Sequence, residues 1–319
     1  MPQTRFAACA ITVGLMVLGA GVLRAQEYPS KSIRIVTAPA GGTVDMVTRL
    51  IGQELAPALG QSVVADNRPL LIGMENVAKS PPDGYSLLVA ADPFWIGPLL
   101  QKLNYDPVRD FTPISLLTRA PNVLVVHPSL PVKTVRELIA LAKAKPGVLN
   151  YSSSGTGASN HLAAELFKAM AGVNIVRIPY KGSAPTVTAL ISGEVQVMFA
   201  TQSSISSYLD TGRMRALAVT TKEPSALFSG VPTVAASGVP GYEATSTQAI
   251  FAPAKTPASV VNRLNREIVQ SLSRHEVKEK FLKYGLETVG TSAEELDTAM
   301  KSEMARMGKV IGEAGIKAE

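Results

Sequence analysis

Twice along this chain a run of apolar residues with strand character passes through a glycine-bearing loop into an apolar stripe of 3,4 spacing, the period of one helix face. In the first copy Ile33, Ile35, Val36 and Ala38 predict a strand, Pro39-Ala40-Gly41-Gly42-Thr43 a loop, and Val44, Val47, Leu50, Ile51 and Leu55 the buried face of a helix. In the second, Leu149-Asn150-Tyr151 leads into Ser152-Ser153-Ser154-Gly155-Thr156-Gly157 and then a helix burying Leu162, Ala163, Leu166, Phe167 and Met170. Glycine lets the backbone turn sharply and approach a ligand, and the first helical turn presents unpaired N–H groups at a positive dipole end. Such ends hold carboxylate or phosphate with no catalytic group. Either loop alone also reads as an ordinary structural turn, because neither is a full Walker or GxGxxG pattern. Their recurrence points to an anion held from two sides.

Between and beyond the two copies, strands are expected at residues 62–66, 86–91, 122–126, 175–178, 195–199, 215–219 and 249–252, with helical segments between them. Pro81-Pro82-Asp83-Gly84-Tyr85 is a turn. Helix starts are marked by Thr134 with Glu137, by Thr256-Pro257 and by Ser292 with Glu295. Alternating strands and helices predict an α/β class with parallel sheets covered on both faces. The late helices are expected to return to the first lobe. That gives residues 26–125 and 250–319 to lobe 1 and residues 126–249 to lobe 2, with crossings at 123–128 and 249–253. Two crossings make a hinge, and the cleft between lobes becomes the ligand site.

Residues 1–25 read as a signal peptide: Arg5, an apolar run over 6–23, and Leu23-Arg24-Ala25 as the cleavage site before Gln26. A membrane anchor is the alternative, which Gly14, Gly19, Gly21 and the small Ala25 disfavour. Export places the protein in the periplasm. Cys9 is the only cysteine and falls in the leader, so the mature chain has no disulfide and no thiol chemistry and relies on its core. At 294 residues such a core is feasible. Without Arg5 and Arg24, 29 basic residues face 25 acidic ones, a net +4 that is dispersed and excludes a nucleic-acid surface. It favours small anions.

Catalytic signals are sparse. His127, His161 and His275 stand in no HxH or HExxH spacing, and no carboxylate cluster supplies a metal site. His161, in the first turns of the second helix, is read as packing or bonding locally. No GxSxG elbow exists, and the serines at 152–154 are read as caps and donors to a carboxylate. Binding without chemistry, metal or cofactor is therefore expected.

An ordered series of segments from Tyr28 to the C-terminus resembles one family. It includes Tyr28-Pro29-Ser30-Lys31, Pro39-Ala40-Gly41-Gly42-Thr43-Val44-Asp45, Asp66-Asn67-Arg68-Pro69, Pro82-Asp83-Gly84-Tyr85, Tyr105-Asp106-Pro107, Asn150-Tyr151-Ser152, His161-Leu162 and Pro179-Tyr180-Lys181-Gly182. Leu217-Ala218-Val219-Thr220, Val231-Pro232-Thr233-Val234, Pro240-Gly241-Tyr242-Glu243 and Thr256-Pro257 complete it. The chain is similar to the periplasmic substrate-binding proteins of tripartite tricarboxylate transporters, the Bug receptors. The resemblance implies two α/β lobes of the type II periplasmic-binding-protein architecture, a monomer that closes on a small carboxylate and delivers it to membrane permease subunits. It implies ligand contacts at Pro39, Ala40, Gly41, Gly42, Asp45, Ala91 and Asp92 in one lobe and at Ser154, Thr156, Gly157, Tyr180, Lys181 and Ala200 in the other. The first loop would hold its carboxylate through ordered water. Lys181 before Gly182 also reads as a solvated turn lysine.

Departures from the family pattern bear on the ligand. Ala200 stands where amino-acid-binding members usually carry Asp, so an ammonium would lack a partner and an amino-acid ligand is disfavoured. Leu70-Leu71-Ile72-Gly73 replaces a glycine-rich run, and Asp92-Pro93-Phe94-Trp95 replaces a small polar loop. A ligand with an apolar or aromatic body is expected, with Phe94 and Trp95 at the cleft mouth or, alternatively, packed against a neighbouring helix. The other functions considered are ligand sensing for a histidine kinase without transport and, more remotely, a hydrolase using Ser154 and His161.

Overall fold

The computed structural model describes residues 28–154, 157–180 and 182–316. The signal-peptide reading and the site candidates Thr156 and Lys181 lie outside the described residues. In chain order the elements are β1 (Ile33–Thr37), α1 (Thr43–Leu59), β2 (Val63–Asn67), α2 (Leu70–Ala78), β3 (Ser86–Ala91), α3 (Pro93–Leu100), β4 (Phe111–Val126), α4 (Val135–Ala144), β5 (Asn150–Ser153) and α5 (Ser159–Ala171). There follow β6 (Val176–Pro179), α6 (Ser183–Ile191), β7 (Val197–Thr201), α7 (Gln202–Asp210), β8 (Arg215–Val219), β9 (Thr245–Pro253), α8 (Ala258–Ser273), α9 (His275–Leu282), β10 (Glu287–Thr288) and α10 (Ala293–Ala314).

One long strand joins two sheets. Residues Phe111 to Pro121 of β4 pair with β9, completing a first sheet of order β2-β1-β3-β9-β4. Residues Asn122 to Val126 pair with β7 and β8, and β5 and β6 extend that second sheet. The chain therefore changes sheet at Pro121–Asn122 and returns at Ala244–Thr245: the Ala244 N–H donates to the Thr220 carbonyl, while Thr245 already pairs with Pro121. The ladder runs through polar Thr245 and Ser246 and through Pro113 and Pro121, positions that an apolar pattern does not count.

Strand direction decides what this architecture can hold. β1, β2 and β3 are mutually parallel, and β4 runs the same way because both it and β3 are antiparallel to β9. In the second sheet β5, β6 and β7 are parallel to one another and antiparallel to β4. The carboxyl ends of β1 to β3 therefore face the carboxyl ends of β5 to β7 across the crossing. Open α/β sheets bind ligands at such edges.

Three packed layers hold the sheets. The outer face of the first sheet buries Val47, Ile51 and Leu55 of α1 against Leu264, Ile268 and Leu272 of α8, on the expected stripes. The opposite face is one continuous layer through both sheets, carrying α2, α3, α5 and α10. The other face of the second sheet packs Val187 and Leu190 of α6 and Ile205 of α7. Ser292 and Glu295 form a full capping box at α10. Thr256 differs from expectation: its hydroxyl donates back to the Pro253 carbonyl and caps no helix N–H. Met170, expected in the core, is 40% exposed in the last turn of α5.

Candidate functional site

At the first edge, β1 ends at Thr37 and the exposed residues 39–42 lead into α1. Gly41 takes φ +89°, a conformation that glycine adopts without strain. Asp45, in the first turn of α1, reaches back to accept the Gly41 N–H at 3.0 Å. Its other oxygen accepts from Asn67 Nδ2 at 2.7 Å and pairs with Arg49 at 3.0 Å. Burial would raise this carboxyl, but the bonds from Asn67, Gly41 and Arg49 outweigh it and hold it below the usual range. Asn67, at the end of β2, also donates to the Ala38 carbonyl at 2.7 Å, so β2 and α1 together fix the loop. The first N–H groups of α1, from Thr43, have no partner inside the helix, and Gly42 at its start supplies no side-chain cap.

The second edge uses a similar device with an imidazole and an amide. His161 Nδ1, in the first turn of α5, accepts the Gly157 N–H at 3.1 Å, again from four residues ahead. The Asn160 carbonyl oxygen accepts from the Ser154 hydroxyl at 3.1 Å and faces its N–H at 3.4 Å. Both side chains are buried, which agrees with the local reading of His161. Gly157 has φ +79°, and a Cβ there would lie 2.8 Å from Leu100 Cδ1 of α3, so this loop abuts an element of the first sheet. Ser152 and Ser153, expected in the loop, belong to β5 and are fully buried: Ser152 donates to the Thr186 carbonyl and Ser153 accepts from Arg177 Nε.

The remaining candidates fall at these edges with differing side-chain directions. Ala91 ends β3. The Asp92 carboxyl turns inward, accepting the Thr247 N–H at 2.9 Å and the Thr247 hydroxyl. Burial, reinforced by Glu303, pushes it well above the usual carboxylate range. Ala200 is buried beside Val123 in the layer under α7, and Tyr180 packs against that same layer, where burial and then Glu194 push its phenol up to about 12. Phe94 and Trp95 are not at the cleft mouth. Phe94 stacks on Tyr105 and meets Phe111 and Phe251 edge-on or tilted, and the Trp95 indole N–H donates to Glu303 at 3.0 Å. Pro93 opens the helix, and both rings lie in the layer shared with α10.

Beside Trp95, a cavity of about 270 Å³ opens between α10 and the crossing strands, lined by Arg119, Thr247, Glu303 and Arg306 among others. Arg306 there donates to the Glu243 main-chain carbonyl at 2.6 Å. Among the described residues, no group of His, Cys, Asp or Glu is placed to hold a metal ion, and no helix is long and apolar enough to cross a membrane. The expectation missed Asn67, Asn160 and Thr247 as loop-holding residues. Asn67 was within reach, since it stands in the Asn-Arg-Pro segment at a strand end; Thr247 carries no local signal.

A family model described as the tripartite tricarboxylate transporter family receptor matches residues 47–316. The protein BugT of Bordetella pertussis is 33% identical, covering 99% of each chain. A solved structure of Rpa4515 from R. palustris with adipate is 38% identical, superposes with a TM-score of 0.76, and covers 92% of this chain and 100% of its own. The periplasmic binding protein BugD is 29% identical with a TM-score of 0.72, covering 92% of this chain and 100% of its own.

Proposed function

The chain belongs to the tripartite tricarboxylate transporter receptor family, a family of solute receptors and not of enzymes, and on that premise we propose that it is a periplasmic receptor for a small carboxylate with an apolar or aromatic body. One observation carries this reading: two facing strand edges each present a glycine loop and a helix start, and each loop is held by an acceptor from the helix it precedes. Preorganised main-chain donors of this kind hold an anion at little ordering cost. Rpa4515, with its bound adipate, is a relative whose ligand has this character.

In this reading the leader is cleaved after Ala25 and residues 122–244 move against the rest about the two crossings. The first loop takes one carboxylate at the α1 start, and residues 154–157 with 180–182 close from the other side. The closed monomer is then offered to permease subunits of a tripartite transporter. A thermal-shift screen of the chain from Gln26 onward, against mono-, di- and tricarboxylates and acidic amino acids, tests the binding step. A ligand at a hundred times its dissociation constant adds about 2.7 kcal/mol of stability. A shift with one acid class, accompanied by a smaller scattering radius, is the expected result; no shift with any acid after removal of co-purified ligand would overturn the reading.

A further inference from the structure

The apolar surface that a hydrocarbon-bodied ligand needs is not supplied by Phe94 and Trp95, which are 0% and 1% exposed. Two other large apolar side chains lie at the same strand edge. Leu71 and Ile72, in the first turn of α2, are 45% and 55% exposed. They fall outside the stripe of Gly73, Met74 and Val77 that seats α2 on the sheet. Helical side chains lean toward their own N-terminus, so both lean toward the carboxyl edge of β2.

Their distance from the anion loop is set by close packing. A Cβ on Gly73 would lie 3.0 Å from Val36 Cγ1 and 3.2 Å from Arg68 Cβ, so glycine lets the start of α2 sit tightly against the end of β1. One residue past Val36, the Thr37 carbonyl accepts the Arg68 N–H at 2.9 Å, and Ala38 accepts from Asn67. The first turn of α2 is thereby tied to the strand end that becomes the loop at 39–42. Exposed leucine and isoleucine on a helix start tied to this loop would make an amphipathic site, polar where a carboxylate binds and apolar beside it.

Resting on the receptor reading above, we infer that Leu71 and Ile72 form the wall that contacts the hydrocarbon body of the ligand, and that they set its preference for longer aliphatic or aromatic carboxylates over short polar ones. The occupant is the ligand in the closed cleft, because Arg68 and Asn67, just ahead of these two residues, bond to the strand end that becomes the loop that would hold the acid group.

The test is calorimetry with linear dicarboxylates from malonate to suberate, plus benzoate, on the mature wild type and on Leu71→Ser/Ile72→Ser. Both positions are exposed, and the variant's melting temperature checks that it folds. Each buried methylene should tighten wild-type binding about fourfold over part of the series. In the variant that dependence should flatten and benzoate binding should drop, with malonate affinity unchanged. An unchanged chain-length dependence would overturn this wall while leaving the receptor reading intact, as would an equal loss for every acid, which marks a loop-positioning role. A wild-type dimer in light scattering that the double substitution dissolves would reassign the patch to self-association. Failure of the wild type to bind any of these acids would overturn both readings.

Discussion

Replacing Asp45 by asparagine isolates the tether that shapes the first loop. The native carboxylate is 5% exposed and accepts from Gly41, Asn67 and Arg49 at 3.0, 2.7 and 3.0 Å. An asparagine has one acceptor oxygen, and its NH2 must face either the Gly41 N–H or the Asn67 amide, donor against donor. Losing a charge-assisted bond and leaving a buried donor unpaired costs about 1.5–3 kcal/mol. The Arg49 pair, with a half-exposed guanidinium, adds no more than about 0.5 kcal/mol. For a chain of this size, whose unfolding entropy is about 2.1 cal/mol/K per residue, a loss of about 2–3 kcal/mol lowers the melting temperature by roughly 3–5 °C. Carboxylate affinity should fall as well, because the loop must then be ordered at the moment of binding.

Calorimetric melts of wild type, Asp45→Asn, Asn67→Ala and the double variant measure both the loss and the coupling, which for bonded partners should be about 0.5–3 kcal/mol. The pH dependence has a fixed sign. A carboxyl held below its ordinary value stabilises the fold above the unfolded pKa, and that stability is lost as pH falls through the folded value. The gap between wild type and Asp45→Asn should therefore be full at neutral pH and close in acid. A variant melting within about 1 °C of wild type at pH 7, or a gap that widens in acid, would refute the assigned role of the tether.

Three further outcomes follow from named contacts. Gly157→Ala places a Cβ at φ +79° and 2.8 Å from Leu100, so it should lower the melting temperature and weaken ligand closure, with Leu100→Ala restoring only the steric part. Asp92 has the opposite pH sign to Asp45: its raised carboxyl favours the fold below the unfolded pKa and loses that contribution as pH rises through the folded value, so Asp92→Asn should melt higher than wild type in alkali and close to it in acid. Trp95 should resist iodide quenching in the free and the liganded protein, since its indole lies in the layer under α10; quenching in the free protein that ligand blocks would move it to the cleft.

Repeating local signals made most of the fold legible. The 3,4 stripes at Val47, Ile51 and Leu55 and at Leu264, Ile268 and Leu272, and the capping box at Ser292, are each spelled out by the spacing within one element, and the structure buries or bonds them where the pattern put them. The first half of β4 was not legible. Pro113 and Pro121 silence its pattern, while its place between β9 and β10 depends on residues more than a hundred positions away. At the site, loop positions were legible and side-chain directions were not. Asp92 and Phe94 sit where a ligand loop was expected, yet one turns to Thr247 and the other into a ring cluster with Phe111 and Phe251, partners that no local spacing announces.

The two loops are tied by the same arithmetic and by different chemistry, and that difference gives a last test. In each, the glycine N–H is taken by a side chain four residues on, Asp45 for Gly41 and His161 for Gly157, so neither N–H is left for a ligand. The acceptors shape the loops and need not touch what is bound. His161→Ala leaves the buried Gly157 N–H without its acceptor, at about 1–3 kcal/mol. His161→Gln supplies a carbonyl oxygen at similar reach. If His161 only shapes the loop, the glutamine variant should recover most of the stability and the carboxylate affinity that alanine loses. Recovery of stability without affinity would mean that the imidazole itself meets the ligand, and the symmetry between the two tethers would then be one of backbone alone.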